Sequence, residues 1–183
     1  LNPRVKDMNV VLKSRGYSFR LLKDMRRTAN PEYTLERAKR SFEKSLEANP
    51  NNSSTLRNLA QIELQLLPPE PGVPTASPER LLVHPLMFSA YKKLLRAVLA
   101  DKGDAISRQH FGNFLYEKLA DIPAAMEMFV GTLELFPEHK TCLERLYTIC
   151  HNHGFTDAEK SVLERLHIVD EREKERKRTT AKK

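Results

Sequence analysis

Tryptophan is absent from the chain, and glycine is scarce at 6 of 183 residues. No GxGxxG or GxxxxGK string occurs, which excludes the phosphate-cradling loops of nucleotide-binding α/β enzymes. Two cysteines permit one disulfide at most, so a disulfide-framed miniprotein is excluded as well. No apolar run approaches the roughly 18 residues that a membrane-spanning helix needs. No hydrophobic signal core follows Leu1, and with both thiols expected to be unbridged the compartment expected is intracellular. No Ser/His/Asp or Cys/His set stands in a recognisable local context, so no catalytic residue and no cofactor is expected. His139, His151 and His153 gather near Cys142 and Cys150. The two thiols lie eight positions apart, roughly 12 Å along a helix axis, too far to bridge or to clamp one ion. No metal site is read here. His151 and His153 are expected to meet the terminal carbonyls of a helix ending at Gly154.

What is present is helix-forming material and uneven charge. Hydrophobic residues make up 40% and charged residues 30%, enough for the core of about one domain. The net charge of +7 sits at the ends. Residues 1–30 hold eight Lys/Arg against two acids, and residues 171–183 hold seven against three, while the middle is mildly acidic. Basic ends act as solvated arms or as contacts to an acidic surface or nucleic acid.

Helical periodicity runs from end to end, and no stretch alternates as a strand does. Asn2-Pro3 opens a basic helical segment over residues 1–30, whose second stripe is Phe19, Leu22, Met25 and Ala29. Pro31 opens the next helix, since proline fits only a first turn. That helix ends at Asn49-Pro50. Asn52, Asp104 and Asp121 are read as helix caps, and Pro85 as a helix start. Inward stripes are Leu56, Leu59, Ala60 and Leu64; then Met87, Ala90, Leu94, Ala97 and Val98; then Ile106, Phe111, Phe114 and Leu115; then Ala125, Met128, Phe129 and Leu133. Leu143, Leu146, Tyr147 and Cys150 follow. Thr156 with Glu159 has capping-box spacing and leads into Val162, Leu163 and Leu166. Four prolines between Pro68 and Pro74 break any helix, and Ser77-Pro78-Glu79 reads as the start of a short one. About eight helices in successive antiparallel pairs are expected.

Two strings repeat one spacing. Ala38, Phe42, Ser45 and Pro50 match Ala125, Phe129, Thr132 and Pro137. Small residues at this spacing let helices approach, the aromatic fills the gap, and the proline ends the unit. The pattern resembles the second helix of a tetratricopeptide (TPR) repeat, with its Ala-x3-Phe…Pro signature. Leu56, Leu59 and Ala60 stand where the family's first helix has Trp, Leu and Gly. Phe111-Gly112 looks like the Leu-Gly pair, with one extra residue before Ala125. Thr141 to Leu163 also looks somewhat like a pentatricopeptide unit.

The resemblance implies an all-α fold, an α-solenoid of about four degenerate TPR-like helix-turn-helix repeats in a right-handed superhelix. It would cover residues 19–169, with a Pro-rich insertion at residues 68–85 and a charged basic tail at residues 170–183. Such arrays do no chemistry of their own and hold other proteins, so the expectation is a protein-protein interaction scaffold or assembly subunit. The partner would be a peptide or helix lying in a groove lined by first helices. By register the groove residues are Arg20, Lys23, Arg27, Arg57, Asn58, Gln61, Gln109 and Asn113, followed by Glu144 and Thr148. A basic entrance and amide side chains would suit an acidic peptide. Of the five positions with which some TPR proteins clamp acidic chaperone tails, only Lys23 and Asn58 match. The tail cations Arg172, Lys174, Arg176, Lys177, Arg178, Lys182 and Lys183 would meet phosphate or an acidic partner. The alternative reading is therefore an RNA- or ribonucleoprotein-associated helical repeat.

Overall fold

The protein was analysed as a computed structural model that describes residues 31–67, 77–78 and 84–180, with side chains from residue 35 onward. The N-terminal segment, with Arg20, Lys23 and Arg27, lies outside these residues. So do most of the Pro-rich stretch, the short helix expected after Pro78, and Lys182 and Lys183.

Seven helices form among the described residues, and no strand. They are α1 (Pro31–Ala48), α2 (Ser53–Gln65), α3 (Pro85–Ala100), α4 (Ala105–Leu119), α5 (Ile122–Leu135), α6 (Lys140–His153) and α7 (Thr156–Thr180). Their ends follow from local chemistry. Asn52 accepts a hydrogen bond from the Thr55 amide at 2.8 Å. Asp104 accepts from the Ile106 and Ser107 amides, and Asp121 from the Ala124 amide. Each cap satisfies amides that a helix start leaves without carbonyl partners. Pro31 and Pro85 stand at first helical positions, where a missing N–H costs nothing. Gly154 ends α6 in the left-handed region at φ 72°, and the Phe155 amide donates back to the Cys150 carbonyl. α4 ends on Ala120, also left-handed at φ 53°, with the Asp121 amide donating to the Leu115 carbonyl. The residue extra to the family spacing falls in the same span, between Gly112 and Ala125.

The described helices fall into two compact units. In the first, α1 packs on α2 and α2 on α3; in the second, α4 packs on α5, α5 on α6 and α6 on α7. Each helix thus buries its stripe against its sequence neighbour. This is an all-α, TPR-like helical repeat. Phe129 is fully buried against α4, where a Cβ added to Gly112 would stand 2.9 Å from the ring. The small-residue position and the aromatic of the repeat signature are therefore one contact. In α1, Phe42 is half-buried beside Ala38 and Ile62.

The repeat also appears in how turns are held. Arg96 of α3 donates to the Pro50 carbonyl at 2.8 Å, across 46 residues. Arg165 of α7 donates to the Pro137 carbonyl at 3.2 Å, across 28 residues. Pro50 and Pro137 are the two signature prolines. Leu56, Leu59 and Ile62 of α2 and Leu143, Leu146 and Ile149 of α6 are all buried, each pair separated by the same 87 residues as the prolines. The arginine spacings differ by 18 residues (46 against 28), the length of the expected insertion at residues 68–85.

Some expected inward positions turn out. Ile106 is half exposed, because the buried stripe of α4 is Ser107, Phe111, Phe114 and Leu115. Ser107 turns in to donate to the Asp104 carboxylate at 2.6 Å, leaving Ile106 one position off the stripe. Leu163 is likewise exposed, since α7 buries Val162 and Val169. The capping box at Thr156 is replaced: the Glu159 carboxylate lies 2.9 Å from His151 Nδ1 instead of reaching back to the helix start.

Candidate functional site

In the first unit, α2 turns Arg57, Asn58 and Gln61 partly to solvent while Leu56, Leu59 and Ala60 are buried behind them. Their spacing places them on neighbouring faces of one helix. Arg57 donates to the Ser54 hydroxyl at 3.1 Å, which steadies the guanidinium near the N-terminus of α2.

In the second unit, first-type helices α4 and α6 are tied side by side. Asn152 donates to the Tyr116 hydroxyl at 3.1 Å, Arg145 pairs with Glu117 at 3.2 Å, and His153 meets the Tyr116 ring edge-on. Ile106, Gln109, Asn113 and Tyr116 recur at three- or four-residue steps on α4, so they share one side of it. Gln109 and Asn113 are half-buried. The Asn113 side-chain oxygen is buried and has no hydrogen-bond partner among the described residues. Glu144 and Thr148 of α6 are exposed, with the Thr148 hydroxyl bonded to the Glu144 carbonyl. Helical spacing thus puts Gln109 and Asn113 on the side of α4 that carries Tyr116.

The tail is held by the molecule itself. Residues 170–180 continue α7. Arg172 and Arg176 both bond the Glu138 carboxylate in the α5–α6 turn, Arg176 at 3.0 Å. Lys140 reaches Asp170 at 2.5 Å and Glu173 at 3.6 Å. The bond from Arg172 holds the Glu138 carboxyl below its ordinary range, and the Lys140 ammonium does the same to Asp170. Lys174 pairs with Glu171 on the same helix. Lys177 and Arg178 are exposed on the last turn. Of the tail cations expected to meet an outside anion, Arg172 and Arg176 are therefore already engaged with an internal one.

A buried charge escapes the sequence reading. Glu63, 3% exposed, bridges α2 to α3 by accepting from Lys93 Nζ at 2.8 Å and from the Ser89 hydroxyl at 3.1 Å. Lys93 also donates to Ser89 at 2.6 Å. Taking one partner from such a pair costs about 3–5 kcal/mol, because the other charge is left buried alone. Only the residue type at an otherwise apolar step of α2 hinted at it.

Cys142 and Cys150 are both buried on α6, and burial pushes the Cys142 thiol up to about 11. Burial also raises Cys150. His139 caps α6 by accepting from the Cys142 amide at 3.4 Å. His151 and His153 do not meet helix-end carbonyls through their side chains. His151 stacks on Tyr147 and pairs with Glu159, while His153 packs between Tyr116 and Phe155. Aromatic contact and a carboxylate within reach outweigh a bond to frayed terminal carbonyls. No group of three or more His, Cys, Asp or Glu able to hold a metal occurs among the described residues.

Sequential helix pairs and the Gly112–Phe129 contact define a TPR-like helical repeat. No protein-family model matches the sequence, and no curated protein matches it. Among solved structures, two crystal structures of MamA are similar. One is 18% identical and covers 78% of this chain and 92% of that chain, with a TM-score of 0.46. The other is 18% identical, covering 88% and 96%, with a TM-score of 0.45. No described helix is long and apolar enough to cross a membrane.

Proposed function

We propose that this protein is a non-catalytic interaction scaffold that holds a partner peptide or helix on the solvent faces of its first-type helices. The observation that carries the reading is the α4–α6 face. There, half-buried Gln109 and Asn113 share a side of α4 with Tyr116, whose hydroxyl accepts from Asn152 of α6. The Gln109 and Asn113 side-chain amides, one turn apart, can each donate to and accept from a partner's backbone. The competing RNA reading loses support from the engagement of Arg172 and Arg176 with Glu138.

The test compares wild type with a Gln109→Ala/Asn113→Ala double variant as baits in native extract, each split into nuclease-treated and untreated halves. The expected result is a set of proteins that survives nuclease and falls at least fivefold on the variant bait. Equal recovery on both baits would remove the α4–α6 face from the reading. Recovery that collapses after nuclease would make RNA the ligand.

A further inference from the structure

The last turn of α7 carries two exposed threonines behind a run of cations. Arg176, Lys177 and Arg178 stand three, two and one positions before Thr179, and Thr180 follows. Thr179 and Thr180 share a shallow surface cleft with Arg172, Glu175 and Arg176. Helical spacing explains the grouping. Thr179 is three residues after Arg176 and seven after Arg172, so all three fall on one side of the helix. That is the side on which both arginines grip Glu138. Among the described residues the hydroxyls donate only to carbonyls one turn back, Thr179 to Glu175 at 2.8 Å and Thr180 to Arg176 at 2.7 Å. Such back-bonds weaken a helix end slightly, and a terminal turn frays readily into the extended form an enzyme can grip.

We propose that Thr179, with Thr180 as a secondary acceptor, is a phosphorylation site for a protein kinase that reads basic residues before its target, and that its phosphate releases the α7 latch. In the transfer the threonine Oγ1 attacks the γ-phosphorus of ATP. The new O–P bond forms as the bond from that phosphorus to the bridging oxygen of ADP breaks. The hydroxyl proton passes to the kinase's base. The product is a phosphate carrying nearly two negative charges and three acceptor oxygens, one turn from Arg176. Glu138 offers the same arginines one charge and two oxygens. The phosphate therefore draws the guanidiniums off Glu138. It also sits at a helix C-terminus, where negative charge is unfavourable. Both effects loosen residues 172–180 from the α5–α6 turn.

The experiment incubates the full chain with ATP and the purified catalytic domain of a kinase selective for arginine three positions before its target. Phosphate is located by mass spectrometry, and hydrogen exchange is followed over residues 165–180. The folded wild-type chain should take up about one phosphate, at Thr179, and a Thr179→Ala/Thr180→Ala variant should take up at least tenfold less. Exchange over residues 172–180 should then accelerate at least fivefold, to the level of unphosphorylated Glu138→Gln. A heat-unfolded sample serves as the control for kinase competence. The proposal is overturned by labelling of the unfolded chain only, by labelling of neither form, or by labelling at other positions. Full labelling that leaves exchange unchanged would overturn the release of the latch.

Discussion

Gly112 shows how much one hydrogen atom in place of a methyl group can decide. The Phe129 ring lies across the α4 backbone at this position, and an added Cβ would come within 2.9–3.2 Å of three ring atoms. Phe129 is fully buried and cannot swing outward without emptying the space between α4 and α5. Alanine at residue 112 should therefore overpack the contact and cost about 1–3 kcal/mol despite its better helix propensity. The check is a urea denaturation curve, which should keep its slope while the midpoint drops. An unchanged or higher midpoint would show that the ring has room to move and that glycine is incidental here. This contact is legible from residue types, since Gly112 and Phe129 both match positions of the repeat signature. Glu63 was not legible. Its partners Ser89 and Lys93 lie 26 and 30 residues away, and no local pattern announces that α3 will bring them alongside.

At the level of elements, helix starts and stops were readable because their causes are local. An aspartate three residues before an amide, or a proline in a first turn, acts whatever the rest of the chain does. The path of α7 was not readable in the same way. Its last turns carry no apolar stripe, and what fixes them is the α5–α6 turn: Glu138 with Arg172 and Arg176, and Lys140 with Asp170. These pairs are open to solvent, so their strength depends on pH and salt. Arg172 keeps Glu138 ionised below its ordinary range, and Lys140 does so for Asp170. An acid depressed by folding contributes fully above its unfolded value, and the contribution fades as pH falls through the lower folded value. Lys140 is raised by Asp170, so its share persists below its unfolded value and is lost as pH climbs through the higher folded one. The latch should hold from about pH 5 to about pH 10 and release in acid below about pH 4. Far-UV circular dichroism of wild type and Glu138→Gln tests this. The variant should be less helical at pH 7, and the difference should shrink as the pH falls from about 5 through the lowered folded values. A difference that stayed constant over that range would mean that Glu138 acts by packing, not by charge.

Across the whole molecule, the same helix-pair plan is built twice with connections of different length. α6 and α7 are joined by Gly154 and Phe155 alone, whereas α2 and α3 are separated by 19 residues, from Leu66 to His84. The signature turns are nevertheless held alike, by Arg96 on Pro50 and Arg165 on Pro137. If residues 68–85 are an insertion into one repeat, their removal restores the 28-residue spacing. Leu67 then falls 87 residues before Gly154, the left-handed glycine that turns α6 into α7. A chain lacking residues 68–85 and carrying Leu67→Gly should therefore fold. Shortening a loop of this size lowers its closure entropy by roughly 1–2 kcal/mol. Against that stands the loss of the Ser77 amide bond to the Lys118 carbonyl, about 1 kcal/mol. The Glu63–Lys93 pair and the buried face of Met87, Ala90 and Leu94 remain to set the register of α3. Thermal unfolding of the shortened chain should show one transition within a few degrees of wild type. A loss of several kcal/mol, or a second transition, would mean that residues 68–85 form part of the packing, and that α2 and α3 are not one interrupted repeat.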